Sequence, residues 1–223
     1  MITVDLMVFD LDGTLVDSRQ DLVDAVNHAR TSLKLEPLAF QVVVDAVGDG
    51  VQTLMMRILG PENIHLRELA LQAFREYYGK HLLDHTVARA GVRDMLDHFK
   101  DKEKVVLTNK GRDYTLEILE ALDLKQSFKM IECGDKHDER KPNPAGISRI
   151  LNFFKAKPER SVIVGDSPVD VKTGRSVGIH TCVVQGGFTR EEVLNGAKPD
   201  FFIGVLGAKH AAGWLQHGAR IRS

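Results

Sequence analysis

Six side chains in four short segments have the types and spacing to share one site. Asp10 and Asp12 stand in Asp10-Leu11-Asp12-Gly13-Thr14, and Thr108 opens Thr108-Asn109-Lys110. Lys141 leads Lys141-Pro142-Asn143-Pro144, while Asp166 and Asp170 lie in Gly165-Asp166-Ser167-Pro168-Val169-Asp170. Carboxylates can hold a hard cation, attack an electrophile or move a proton, and a hydroxyl with an ammonium can hold an anion. Each segment alone also reads as a turn, because Asp, Asn and Gly after a strand are ordinary loop material. A shared site requires that the four segments come to one place in the fold.

That placement comes from the elements around them. Short apolar runs bounded by turn residues predict buried strands at Leu6 to Phe9, Val105 to Leu107, Met130 to Ile131, Val162 to Val164, Thr181 to Val184 and Phe201 to Ile203. Helical periodicities lie between them, such as Leu116, Leu119, Leu122 and Ile147, Ile150, Leu151, Phe154. Alternating strands and helices predict an α/β fold, a Rossmann-like core with a mostly parallel sheet and helices on both faces. The four segments then fall at the C-terminal ends of strands, where open α/β sheets form their ligand crevice.

From about Asp17 to Thr86 the rhythm breaks, with no convincing strand and three or four amphipathic helices. Their stripes are Leu22, Ala25, Val26, Ala29, Leu33; then Val51, Leu54, Met55, Ile58, Leu59; then Leu66, Leu69, Ala70, Ala73, Phe74, Tyr77. This is too long for a strand crossover. It predicts a helical domain, residues 17–86, inserted into a core of residues 1–16 and 87–223. Local signals refine the loops. Ser167 and Asp170 have the spacing of a capping box, with Asp in place of Glu, before a helix opened by Pro168. Pro142 disfavours helix at Lys141, and Asn143 is placed to cap a helix starting at Pro144. A helix is also expected around Trp214.

Composition narrows the setting. Thirty Lys and Arg against 31 Asp and Glu give a net charge of −1, which offers no electrostatic reason to bind nucleic acid or an anionic membrane. No stretch approaches 18 uncharged apolar residues, and the first residues lack the basic lead and apolar run of a signal peptide. Cys133 and Cys182 have neither zinc-ribbon nor disulfide-framework spacing. A cytoplasmic protein with no nucleic-acid or membrane partner is expected.

The four segments, with Asp10 to Ser18 taken together, resemble the four motifs of the haloacid dehalogenase-like hydrolases. The similarity is greatest to the phosphoglycolate-phosphatase-like branch, and Gly186-Gly187-Phe188-Thr189-Arg190-Glu191-Glu192 resembles that branch too. The helical insert matches that family's cap domain in position and size. Gly111 and Ala90-Gly91-Val92 depart from the branch where proline is frequent, outside the catalytic positions. The resemblance implies a phosphatase acting on a small phosphorylated metabolite through an aspartyl-phosphate. Asp10 would be the nucleophile. Asp12 would be the general acid and, through its carbonyl, a metal ligand. Asp10 and Asp166 would bind Mg²⁺, with Asp170 acting behind them. Thr108, Asn109 and Lys141 would hold the phosphoryl group. A phosphate dianion needs charge neutralisation above all, and this residue set supplies it.

Weaker signals accompany these. Gly48-Asp49-Gly50 lacks a dinucleotide fingerprint, and the resemblance places it in a cap loop facing the site; Gly48 and Arg57 are thus candidates for substrate contact. His81 and His85, four apart, read as structural or surface histidines. Two alternatives use the same residues. One is a sugar phosphomutase of this fold. The other is a non-enzymatic phosphate-binding module of the receiver type, which the long insert and the Asp-x-Asp spacing oppose.

Overall fold

The computed structural model describes residues 3–204, 206 and 207, so the expected helix around Trp214 lies outside the described residues. The first strand, β1 (Leu6–Phe9), is buried on both faces. It leads into a two-residue strand β2 (Val16–Asp17) and a helical run: α1 (Arg19–Ser32), α2 (Phe40–Ala46), α3 (Val51–Leu59) and α4 (Arg67–His81). The chain returns through β3 (Val87–Ala88), followed by α5 (Val92–His98), β4 (Glu103–Leu107), α6 (Arg112–Ala121) and β5 (Met130–Glu132). Then come α7 (Ala145–Phe154), β6 (Ser161–Gly165), α8 (Pro168–Ser176), β7 (His180–Val184), α9 (Glu191–Ala197) and β8 (Phe201–Ile203).

Six strands form one parallel sheet in the order β5-β4-β1-β6-β7-β8. Alternation along β1 assigns the two faces. Met7 and Phe9 join Val92, Met95, Ile118 and Leu119 of α5 and α6, whereas Leu6 and Val8 join Ile147 and Ile150 of α7. The predicted strands and the helix-covered parallel sheet match this fold. The apolar cluster on the first face continues into the helical run through Leu15, Leu22 and Val26. Among the described residues no helix is long and apolar enough to cross a membrane.

The helical run differs from expectation in two ways. β2 and β3 pair antiparallel, Val16 with Ala88 and Asp17 with Val87, making a narrow ribbon at the junction. Two residues are too few for a period-2 signal. Asp21 on α1 braces this junction by accepting from the backbone N–H of His85 (2.9 Å), the N–H of Thr86 (2.9 Å) and the Thr86 hydroxyl (2.6 Å). On α4 the buried stripe is Ala70, Leu71, Phe74 and Tyr78, while Leu69 is 55% exposed and Tyr77 stacks between His28 and His81. The face is turned by about one residue from the predicted stripe, and the turn brings the Tyr78 hydroxyl to the sheet edge.

Candidate active site

All four chemical segments meet at the C-terminal edge of β1, β4 and β6. Asp10 follows β1, and its backbone N–H donates to Val164 O (2.9 Å) while its Oδ1 accepts from Leu11 N (2.7 Å). Gly13 turns the chain at φ +78°, where a Cβ would lie 2.1 Å from Asp166 Oδ2. Glycine is required there by both conformation and space. Gly187 is held likewise, since a Cβ would lie 2.3 Å from the same oxygen, and the next N–H, of Phe188, donates to it (2.6 Å). The Thr14 hydroxyl donates to Asp166 Oδ1 (3.3 Å).

Lys141 is buried between two carboxylates, its Nζ 2.8 Å from Asp10 Oδ1 and 2.7 Å from Asp170 Oδ1. Burial pulls its pKa down, but Asp10 and Asp170 outweigh that and hold it above the ordinary lysine value. Its loop is set by a cis Lys141–Pro142 bond and by Asn143, whose Oδ1 accepts from Ala145 N (2.8 Å); the helix starts at Ala145, one residue later than expected. Asp170 forms the predicted capping box with Ser167 through Oδ2, leaving Oδ1 for Lys141.

Asp10, Asp166 and Asp170 place carboxylate oxygens within 4.8 Å of one another. Burial, reinforced by Asp170 and opposed by Lys141, raises Asp10 from 3.8 to about 6. Burial and the Asp10 and Asp170 charges raise Asp166 to about 7. Buried carboxylates this close, each strained by the other's charge, are the donor set a hard divalent cation suits. The residues fit a metal.

Thr108 and Asn109 are buried beside this cluster. Asn109 is occupied structurally: its Oδ1 accepts from Lys141 N (2.8 Å) and its Nδ2 donates to Lys141 O (3.0 Å) and Gly48 O (2.9 Å). Its side chain is therefore not turned to a ligand, and any phosphate contact at Asn109 falls to the backbone. Asp12 meets two donors, the Ser18 hydroxyl at Oδ1 and Lys110 Nζ at 3.1 Å from both oxygens.

A cavity of about 220 Å³ opens on this edge between sheet and helices. Asp10, Asp12, Thr108, Asn109 and Asp166 line its floor, with Gly48, Val51, Leu54, Phe74 and Tyr78 opposite. Gly48 lines the cavity. Arg57 does not: its guanidinium is exposed, paired with Asp49 and donating to Ala46 O (2.9 Å), and it braces the loop outside the cavity wall. The cations that do line the wall are Lys110, Arg75 and Arg140. Arg140 Nη1 is buried with no hydrogen-bond partner among the described residues. His81 pairs with Asp84 and His85 gives its backbone N–H to Asp21, both in structural roles. Cys133 and Cys182 are free.

A parallel sheet with this carboxylate edge and a helical run inserted after its first strand defines the class, and comparison with known proteins agrees. The family model described as haloacid dehalogenase-like hydrolase matches residues 7–184. The chain is similar to a phosphoglycolate phosphatase of Aquifex aeolicus (strain VF5), at 31% identity over 88% of this chain and 90% of the other. It is 34% identical to a phosphoglycolate phosphatase of Chromobacterium violaceum over 84% of this chain and 88% of that one. A crystal structure of a predicted phosphoglycolate phosphatase from Haemophilus somnus 129PT superposes with a TM-score of 0.85 at 26% identity, covering 92% of this chain and 96% of that one. The chain belongs to the haloacid dehalogenase-like hydrolases, on their phosphoglycolate-phosphatase-like branch. It is a phosphatase.

Proposed function

We propose that the protein is a Mg²⁺-dependent phosphomonoesterase that hydrolyses phosphoglycolate, or a close carboxylated alkyl phosphate, through a phosphoryl group carried on Asp10. The observation that carries this reading is Asp10 itself: a carboxylate on a rigid strand end, opening on the cavity, with Lys141 at 2.8 Å and Asp166 beside it. Asp10 attacks phosphorus, the ester P–O bond breaks, and Asp12 delivers a proton to the departing alkoxide. Water then attacks the phosphorus of the aspartyl-phosphate, Asp12 accepts its proton, and inorganic phosphate leaves. Lys141 and Thr108 neutralise and hydrogen-bond the phosphoryl oxygens throughout. Asp10, Asp166 and the carbonyl of Asp12 would hold Mg²⁺, with Asp170 supporting them from behind; the ion supplies the positive charge that lets a carboxylate approach a phosphate dianion.

Residues 17–86 act as a cap over a core of residues 1–16 and 87–223, joined through the β2–β3 ribbon, and exclude water while the phosphoenzyme forms. The carboxylated substrate is supported by the relatives' activity and by the unpartnered Arg140 Nη1 in a wall that also holds Arg75 and Lys110. Two free cysteines suit a cytoplasmic setting. A panel of phosphorylated metabolites assayed for phosphate release with Mg²⁺ tests the reading. Phosphoglycolate at the head of the ranking supports it. A sugar phosphate at the head, or a sugar phosphate isomerised without phosphate release, overturns it.

A further inference from the structure

We propose that Lys110 is a positioning residue that aligns Asp12 and makes that alignment depend on helix α4, through Tyr78. The inference rests on Asp12 as the proton donor of the proposed reaction. Lys110 Nζ stands 3.1 Å from each oxygen of Asp12, so one ammonium fixes the plane of the carboxylate. It donates to the Tyr78 hydroxyl at 2.7 Å and lies 4.8 Å from the centre of the same ring. The lysine side chain is 6% exposed. An ammonium so far removed from water must be satisfied by fixed partners, and these come from the two sides of the cavity.

Tyr78 is itself immobilised. Its ring stacks on Phe74 (5.2 Å) and meets Tyr114 edge-on (5.1 Å), and the residue is 1% exposed. The other donor to Asp12 is Ser18, the residue just before α1. Asp12 is therefore gripped from the core by Lys110 and from the start of the helical run by Ser18. The neighbour of Lys110 repeats the pattern, because Asn109 bonds both Lys141 and the Gly48 carbonyl across the cavity. Two consecutive residues thus touch the chemical edge and the helical run at once. Withdrawal of α4 would remove the tyrosine from the ammonium and admit water to it. Lys110 would then no longer be confined to one position between the two carboxylate oxygens. Proton transfer needs the donor aligned with the leaving oxygen, and a misplacement of an ångström in a catalytic group can cost on the order of 10² in rate.

The test compares kcat/KM for phosphoglycolate, whose alkoxide needs a proton to leave, with kcat/KM for nitrophenyl phosphate, whose leaving group does not. This parameter ends at the first irreversible step and so reports phosphorylation alone. Asp12→Ala serves as the reference. Lys110→Met is expected to lose about 10²-fold on phosphoglycolate and far less on the nitrophenyl ester, with Tyr78→Phe losing roughly tenfold with the same selectivity. Neither substitution should lower activity further in the Asp12→Ala background. Tyr78→Phe removes one oxygen and carries the test alone should Lys110→Met fail to fold. Equal losses on both esters would reduce the pair to a packing role and overturn the inference. A Lys110→Met loss that persists without Asp12 would make the lysine a substrate contact, which overturns it too. Asp12→Ala losing equally on both esters would overturn the proton-donor reading and this inference with it. A selective Asp12→Ala beside unselective Lys110 and Tyr78 variants would overturn this inference alone.

Discussion

Lys141 and Asp170 are joined at 2.7 Å through one carboxylate oxygen, while the other oxygen of Asp170 closes the N-terminus of α8. A single side chain thus fixes both the buried Lys141 ammonium and the helix that follows Asp166. Asp170→Asn keeps a capping acceptor and removes the charge facing Lys141. It should leave the unfolding midpoint nearly unchanged and lower kcat by tenfold or more. Asp170→Ala should add a loss of about 1 kcal/mol from the missing return bonds to Ser167. Denaturant titration beside steady-state rates separates the two. An Ala variant as stable as the parent would show that the box contributes nothing.

The raised carboxylates make stability depend on pH in a defined direction. Asp10 and Asp166 bind protons in the folded chain up to about pH 6 and 7, against 3.8 as their ordinary value. Between about pH 4 and pH 7 the folded state holds more protons than the unfolded one, so these groups lower stability as pH rises. Asp166→Asn resembles the protonated form. In chelator it should be more stable than the parent at pH 8, by more than about 1 kcal/mol, and lose that advantage towards pH 4. Mg²⁺ should raise the parent's melting temperature more at pH 8 than at pH 5. A pH-independent difference between the two proteins would contradict the raised value at Asp166.

Substrate ranking should follow Arg140 and ignore Arg57. Arg140→Met removes the unpartnered nitrogen in the cavity wall and should raise KM for phosphoglycolate at least tenfold, with little effect on an alkyl phosphate that has no carboxylate. Arg57→Ala loosens its own loop and should leave the ranking as it was. Competition assays on both esters give the answer, and a ranking moved by Arg57 alone would return it to the site.

What the sequence reveals and what it hides follow from the range of the interactions. The strands around Asp10, Thr108 and Asp166 carry continuous apolar runs, Leu6 to Phe9, Val105 to Leu107 and Val162 to Val164, and such a signal survives any tertiary arrangement. The Ser167–Asp170 box is legible because both partners lie within one turn. The role of Tyr78 is not. Its partner Lys110 is 32 residues away, and the α4 stripe can be drawn a residue earlier with equal periodicity. Asn109 hides for the same reason: nothing local shows that its amide is matched to the backbone of Lys141. Arg57 misleads because a cation near a glycine loop suits an anion as readily as it suits Asp49.

Asp10→Asn asks whether the phosphoryl group is carried on Asp10. Phosphate release from phosphoglycolate should be measured for this variant and the parent at saturating Mg²⁺, with thermal unfolding confirming that both are folded. An amide cannot form the aspartyl-phosphate, so kcat should fall by about 10⁴ or more. A folded variant that retains more than about a hundredth of the parent's turnover, a barrier change under roughly 2.7 kcal/mol, would contradict it.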